Sequence, residues 1–169
     1  VYYIANAASG TASGLELEHR LRLTPVARLE LTLGLLRTHV AEYSFWTGVG
    51  QQETLGDRAA AHAPSYTFSV AGDFGRRHGP GARLELAGMD GFYYSQSQGH
   101  RAAAHQLVHA QLGYRGRDWS VILWGRNLLD ARYAVRGFFF GLEPPDFPDR
   151  LDVTYGDPRQ VGLTVTARL

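Results

Sequence analysis

The chain has 169 residues, and its 17 Lys and Arg nearly balance 16 Asp and Glu, for a formal charge of +1. That balance excludes the basic excess with which nucleic-acid-binding domains neutralise phosphates, and a composition of 44% hydrophobic and 12% aromatic residues excludes a disordered chain. Cysteine is absent, which excludes disulfides and thiolate metal sites, and no run reaches the ~18 apolar residues that a membrane-spanning helix needs.

The dominant period along the chain is two. Val1-Tyr2-Tyr3-Ile4 is a strand fragment, entered without Met, basic n-region or apolar h-region; the natural protein is expected to begin further upstream. From Leu15 to Leu23 odd positions are apolar except His19, and even positions are all charged, which is a strand with one greasy and one wet face. Thr24-Pro25 is a minimal turn, and Leu29 to Leu35 resumes the same parity. Tyr66 to Phe74 alternates next, then Arg83 to Leu86, with Phe92 and Tyr94 on the Leu84 face. Val108 to Tyr114, Trp119 to Leu123 and Gln160 to Leu169 complete seven strands, although Ile122 and Trp124 blur the polar side of the sixth.

The connections alternate in length. Thr24-Pro25, Arg76 to Gly81 (with Gly79-Pro80-Gly81) and Arg115 to Asp118 are short, whereas 44–59, 97–103 and 138–157 are longer. Short turns at one end and long loops at the other are the pattern of an outer-membrane barrel. Phe74, Tyr114 and Trp119 lie beside the short turns; Tyr43, Phe45, Trp46, Tyr66, Phe92 to Tyr94 and Phe138 to Phe140 lie toward the long loops, as two interfacial belts would. The pattern predicts an all-β, antiparallel transmembrane β-barrel segment with short periplasmic turns and longer outer loops. Leu29, Leu31, Leu33, Leu84, Leu86, Val108, Leu112, Val121, Leu123, Val161, Leu163 and Val165 are expected to face lipid. Glu16, Glu18, Arg20, Arg22, Glu30, Thr32, Glu85, Gln111, Thr164 and Thr166 are expected to face the lumen. A soluble sandwich or lipocalin-like barrel also alternates, but with strands of usually ~5–6 residues.

Residues with chemical potential do not assemble into a catalytic or cofactor site. His105 and His109 would share a metal on a helix, but on a strand they lie about 13 Å apart. Glu16 and Glu18 are about 6–7 Å apart by strand rise, a separation that overlaps glycosidase geometry; Arg20 and Arg22 continue their face, which makes a solvated charge ladder. Gly-x-Ser-x-Gly is absent. Gly72, Gly75 and Gly79 lack the strand-to-helix context of a phosphate cradle.

Near the C-terminus, Asn127-Leu128-Leu129-Asp130-Ala131-Arg132-Tyr133 resembles the Asn-Leu-(Phe/Leu)-Asp-x-x-Tyr motif of TonB-dependent outer-membrane receptors. Pro158-Arg159-Gln160-Val161-Gly162-Leu163 is similar to the start of that family's last strand. Asn6 to Glu18 and Ala63-Pro64-Ser65-Tyr66 resemble earlier family strands, in the right order. The family usually ends in Phe, a signal for barrel assembly; Leu169 departs from it. The resemblance implies that residues 1–169 are the C-terminal portion of a barrel of about 22 strands, with the plug and earlier strands not included. It further implies a place in the bacterial outer membrane, and energised uptake of an iron–siderophore or similar scarce nutrient driven by TonB through the plug. It implies structural roles for Asn127, Leu128, Asp130, Tyr133, Pro158, Arg159 and Gly162, and no cofactor or catalytic residue. A passive or structural barrel of eight strands and a soluble β-barrel binder stay open as alternatives.

Recognition is expected in the loops, foremost in 138–157. Phe138, Phe139 and Phe140 would offer flat faces to a siderophore, Arg136 or Arg150 would attract an anionic complex, and Pro144, Pro145 and Pro148 would stiffen the loop. Trp46 and His100 lie in the other long loops. Membership of the outer aromatic belt is the competing role for the three phenylalanines.

Overall fold

The computed structural model describes residues 9–46, 50, 52–96, 98–140, 145 and 150–168, with Phe45, Trp46 and Glu53 described by backbone alone. The Val1–Ile4 fragment, Asn6 to Ala8, Pro144, Pro148 and Leu169 lie outside the described residues. The elements are β1 (Gly10–Thr24), β2 (Ala27–Val40), β3 (Tyr43–Trp46), β4 (Gln52–Leu55), β5 (Tyr66–Gly75), β6 (Gly79–Met89), β7 (His105–Arg115), β8 (Trp119–Arg126), β9 (Ala134–Phe140), β10 (Arg150–Tyr155) and β11 (Gln160–Ala167). Seven of them form one antiparallel sheet in the order β1-β2-β5-β6-β7-β8-β11. The other four make two hairpins, β3–β4 and β9–β10, both inserted at the long-loop end.

The registers carry the alternation across the whole sheet. Leu17 pairs with Leu33, Leu33 with Phe68, Val70 with Leu86, Leu86 with Val108, Leu112 with Leu123, and Leu123 with Leu163, so these side chains share one face. Glu18 pairs with Thr32, Arg20 with Glu30, Asp73 with Arg83, and Glu85 with His109 on the other. Because side chains alternate with period two, a one-residue slip would invert a strand's faces; among the described residues the one register shift within this sheet lies between Arg22 and Thr24, at the β1–β2 turn, and leaves the strand bodies in phase.

On the charged face, Arg83 Nη1 donates to Asp73 Oδ2 at 2.6 Å and to Glu30 Oε2 at 3.1 Å, and Nη2 donates to Glu85 Oε2 at 3.2 Å. Arg20 Nε lies 3.5 Å from Glu30. One guanidinium thus links β2, β5 and β6, and Glu30 extends the ladder to β1. The pairs are partly solvated, so each adds little stability; their value is in making this face wet.

The apolar face has no protein cover. Among the described residues the buried apolar side chains are Ala27, Ala71, Phe92, Tyr94, Ala102 and Ala134, whereas Leu15 and Leu163 are each 63% exposed. A soluble protein does not leave such a continuous apolar wall in water; a barrel wall turns it to lipid. Leu31→Arg is expected to destabilise the membrane-inserted protein by about 2 kcal/mol, the low end of the range for a lipid-facing Arg because Leu31 lies nearer the short-turn end of β2. Urea unfolding in lipid bilayers measures this, with Thr32→Arg on the wet face as the comparison.

Four details differ from the sequence pattern. β6 stops at Met89, and Phe92 and Tyr94 sit in the following loop, where they are buried instead of facing lipid with Leu84. Gly79-Pro80-Gly81 opens β6 instead of forming the turn; Gly79, at φ +101, makes the bend, and Pro80 is tolerated so near a strand start. The link 44–59 contains most of β3 and all of β4, and the link 138–157 contains the last three residues of β9 and all of β10.

Candidate functional site

The long-loop end is held together by Asn127. The chain leaves β8 at Arg126, and Asn127 takes a left-handed conformation at φ +47 with only 2% exposure. Its Oδ1 accepts the Ala131 N–H at 2.9 Å, and its Nδ2 donates to the carbonyls of Ala131 and Asp157 at 2.9 and 3.0 Å. Its own N–H donates to His109 Nδ1 at 3.3 Å. Asp130, at φ +53, accepts the Arg159 N–H at 2.9 Å from across the excursion. Tyr133 stacks on His105 at 4.6 Å, and its ring lies so close to Gly156 that a Cβ there would fall 2.0 Å from it. Leu128 donates its N–H to the Val108 carbonyl and packs against Gly125, and Gly162 leaves room for the Trp124 ring, whose Nε1 donates to Thr164. Pro158 lies in the segment 156–159 that leads into β11. These residues tie the two ends of the segment 127–159 to one point.

Above that point the loops have their own small core. Phe92, Tyr94, Ala102 and Ala134 are buried together, with Met89, Leu151 and Val153 against them. Phe92 meets Tyr94 edge to face at 6.0 Å, and burial raises the Tyr94 phenol above its ordinary pKa. The Ser65 hydroxyl donates to Asp90, and with the Gly91 N–H it holds that carboxyl below the usual range. The Tyr93 ring is flanked by two guanidinium groups, Arg58 and Arg101, each 4.8 Å from its centre. Arg58 also donates to the Gln96 carbonyl and Arg101 to that of Gly91.

The hairpin β9–β10 lies on this core by one face. Gly137 permits the contact, since a Cβ there would lie 2.7 Å from the Tyr94 ring. Gly137→Ala is expected to lift the hairpin, seen as faster proteolytic cleavage within 134–155 while the sheet stays resistant. Phe139 turns toward His100, 5.1 Å away. Arg136, Phe138 and Phe140 alternate onto the opposite face, where Phe138 and Phe140 meet at 6.3 Å and stay 43% and 45% exposed. Arg150 is in register with Phe140 and within 3.8 Å of Asp152. The hairpin thus gathers two aromatic rings and two guanidiniums on one exposed face, and puts Phe139 and His100 on the other. Trp46 lies on β3 opposite Gln52, and its side chain is outside the described residues. The Arg58–Tyr93–Arg101 stack escaped sequence reasoning; Tyr93 stood out only as one of three adjacent aromatics, and nothing local marks either arginine.

No protein-family model matches the chain. Among solved structures, the ferric yersiniabactin uptake receptor FyuA from Yersinia pestis is 18% identical with a TM-score of 0.73, over 96% of this chain and 24% of the receptor. The siderophore receptor PiuA from Acinetobacter baumannii is 13% identical with a TM-score of 0.76, over 94% of this chain and 22% of that one. The ferric-catecholate import receptor Fiu from E. coli K12 is 15% identical with a TM-score of 0.50, over 98% and 30%. The chain therefore spans about a quarter of the length of the first two receptors. Its fold, over almost its whole length, is that of a section of the β-barrel wall of siderophore receptors.

Proposed function

We propose that the chain is the C-terminal portion of a TonB-dependent receptor barrel in a bacterial outer membrane, and that the receptor takes up an iron–siderophore or a similarly scarce nutrient. The observation that carries this reading is a seven-stranded wall, apolar on one face and charged on the other, that matches an uptake receptor over 96% of the chain. The ordered motifs from Asn127 to Tyr133 and from Pro158 to Leu163 support placing it at the C-terminal end. In this reading the sheet is wall, the charged face lines the lumen, and the loop cluster with the β9–β10 hairpin meets the ligand. Energy arrives from TonB through a plug encoded upstream. The protein performs no chemistry on its cargo.

Uptake of radiolabelled iron–siderophore by cells with and without the gene tests this. Uptake is expected to need the gene, to stop when TonB is removed and to stop when the proton-motive force is collapsed. Gene-dependent uptake that survives both treatments would make the protein a passive pore.

A further inference from the structure

Toward the short turns, the charged face carries more cations than the fold itself pairs. Arg83 is engaged by Asp73, Glu30 and Glu85. Beside it, a hollow of about 620 Å³ is lined in part by Arg22, Arg28, Arg77 and Arg115, and Asp73 is the one carboxylate among its lining residues. It adjoins a hollow of about 420 Å³ in which Arg117 and Arg168 join Arg77 and Arg115, with Asp118 as the one carboxylate. All six of these arginines are exposed, and none makes an ion pair among the described residues. Arg22 stands directly opposite Arg28 in the register, a like-charge placement that destabilises the pair unless an anion lies over it. Arg28 pairs with Asp73, Asp73 with Arg83 and Arg83 with Gln111, whose parity Arg115 keeps, so the strip lies on the wet side of the wall and away from lipid. Ile122, which breaks the polar parity of β8, lines the larger hollow on this same side.

We propose that this strip docks an acidic stretch of the same polypeptide, encoded upstream of these residues and lying against the inner wall. Guanidinium groups offer paired N–H donors that match carboxylates, so Asp and Glu side chains are the complement the strip lacks. Its span favours a polypeptide over a small anion. Arg22 on β1 and Arg168 beyond β11 are six strand-to-strand steps apart, roughly 29 Å along the sheet, the reach of an extended segment of about nine residues. Ile122 adds an apolar contact that a hydrated anion would not use. The receptors FyuA and PiuA, of which this chain covers 24% and 22%, leave ample further chain to supply such a segment. The inference rests on the reading of the chain as the C-terminal part of a longer receptor, but not on what that receptor transports.

The test exploits the absence of lysine from the chain. In the full-length protein, Arg28→Lys and Arg115→Lys each place one amine in the strip while keeping its charge, and a zero-length carbodiimide joins an amine only to a carboxylate in direct contact. Peptide mass spectrometry of the purified, heat-modifiable protein then identifies the partner. Both variants are expected to link to Asp or Glu within one upstream stretch, and Arg37→Lys, on the opposite parity toward the other end of β2, to link to none of it. Adding R22Q/R28Q/R77Q to Arg115→Lys is expected to lower the yield by roughly fivefold, and raising the salt to lower it further. Links from both variants only to Asp73, Asp118 or another carboxylate of this chain, or no links at all, overturn the proposal. A yield that the three glutamines leave unchanged overturns the role of the arginines, and links to a different protein overturn the choice of occupant. Uptake that proves independent of the gene, with the upstream links in place, would strike down the transport reading and leave the docking surface standing.

Discussion

Asn127→Ala is expected to cost about 4 kcal/mol of stability and to loosen the whole segment from 127 to 159. The side chain makes three hydrogen bonds, to the N–H and carbonyl of Ala131 and to the carbonyl of Asp157. Leaving a buried partner unpaired costs roughly 1–3 kcal/mol each, with water at the barrel rim recovering part. Alanine also tolerates φ +47 less well than asparagine does. Two further variants separate these contributions. Asn127→Gly relieves the backbone but makes none of the bonds, so it should recover only the smaller, conformational part. Asn127→Asp keeps the acceptor for Ala131 yet turns an anion toward two carbonyls, and should be nearly as harmful as alanine. Unfolding in detergent by urea measures all three. Alanine at parity with the unaltered protein would mean that the Asp157 and Ala131 links do not fasten the segment.

The sheet was legible because its code is local. Leu15, Leu17 and Leu21 stand against Glu16, Glu18, Arg20 and Arg22 within one strand, and the registers only repeat that parity from neighbour to neighbour. Trp124, which blurred the pattern, lies on the charged face, where the bare backbone of Gly162 gives its ring space and Thr164 accepts from its indole. Beyond the strand ends the code stops. Phe92 and Tyr94 keep the Leu84 parity, but the chain leaves the sheet at Met89 and they are buried by residues from distant segments, Ala134 and Leu151 among them. Phe138-Phe139-Phe140 reads as an apolar loop because three successive aromatics do not alternate, although in β9 they divide between two faces. The anchoring residues were visible as a motif, but the cross-link of Asn127 to Asp157 and of Asp130 to Arg159 depends on tertiary closure.

That division of the three phenylalanines sharpens the experiment on recognition. If the exposed face of β9–β10 grips the ligand, Phe138→Ala with Phe140→Ala should weaken binding of an iron–siderophore to the full receptor by roughly 30-fold to 150-fold, the loss of two aromatic contacts of about 1–1.5 kcal/mol each. Arg136→Gln should weaken binding of an anionic complex more than that of a neutral one, and the difference should shrink as salt is raised. Phe139→Leu, on the side facing His100, should act on hairpin stability with less change in affinity. Intrinsic fluorescence quenching by the ferric complex reads affinity, and heat-modifiable gel migration confirms that the barrel has assembled. If the rings instead belong to the outer aromatic belt, the double variant would bind normally but insert less efficiently into bilayers. Normal affinity with normal insertion would remove this hairpin face from both roles and shift attention to the Arg58–Tyr93–Arg101 stack. That stack presents two cations on one ring at the same end of the sheet, and Tyr93→Ala would then be the variant expected to abolish ligand binding.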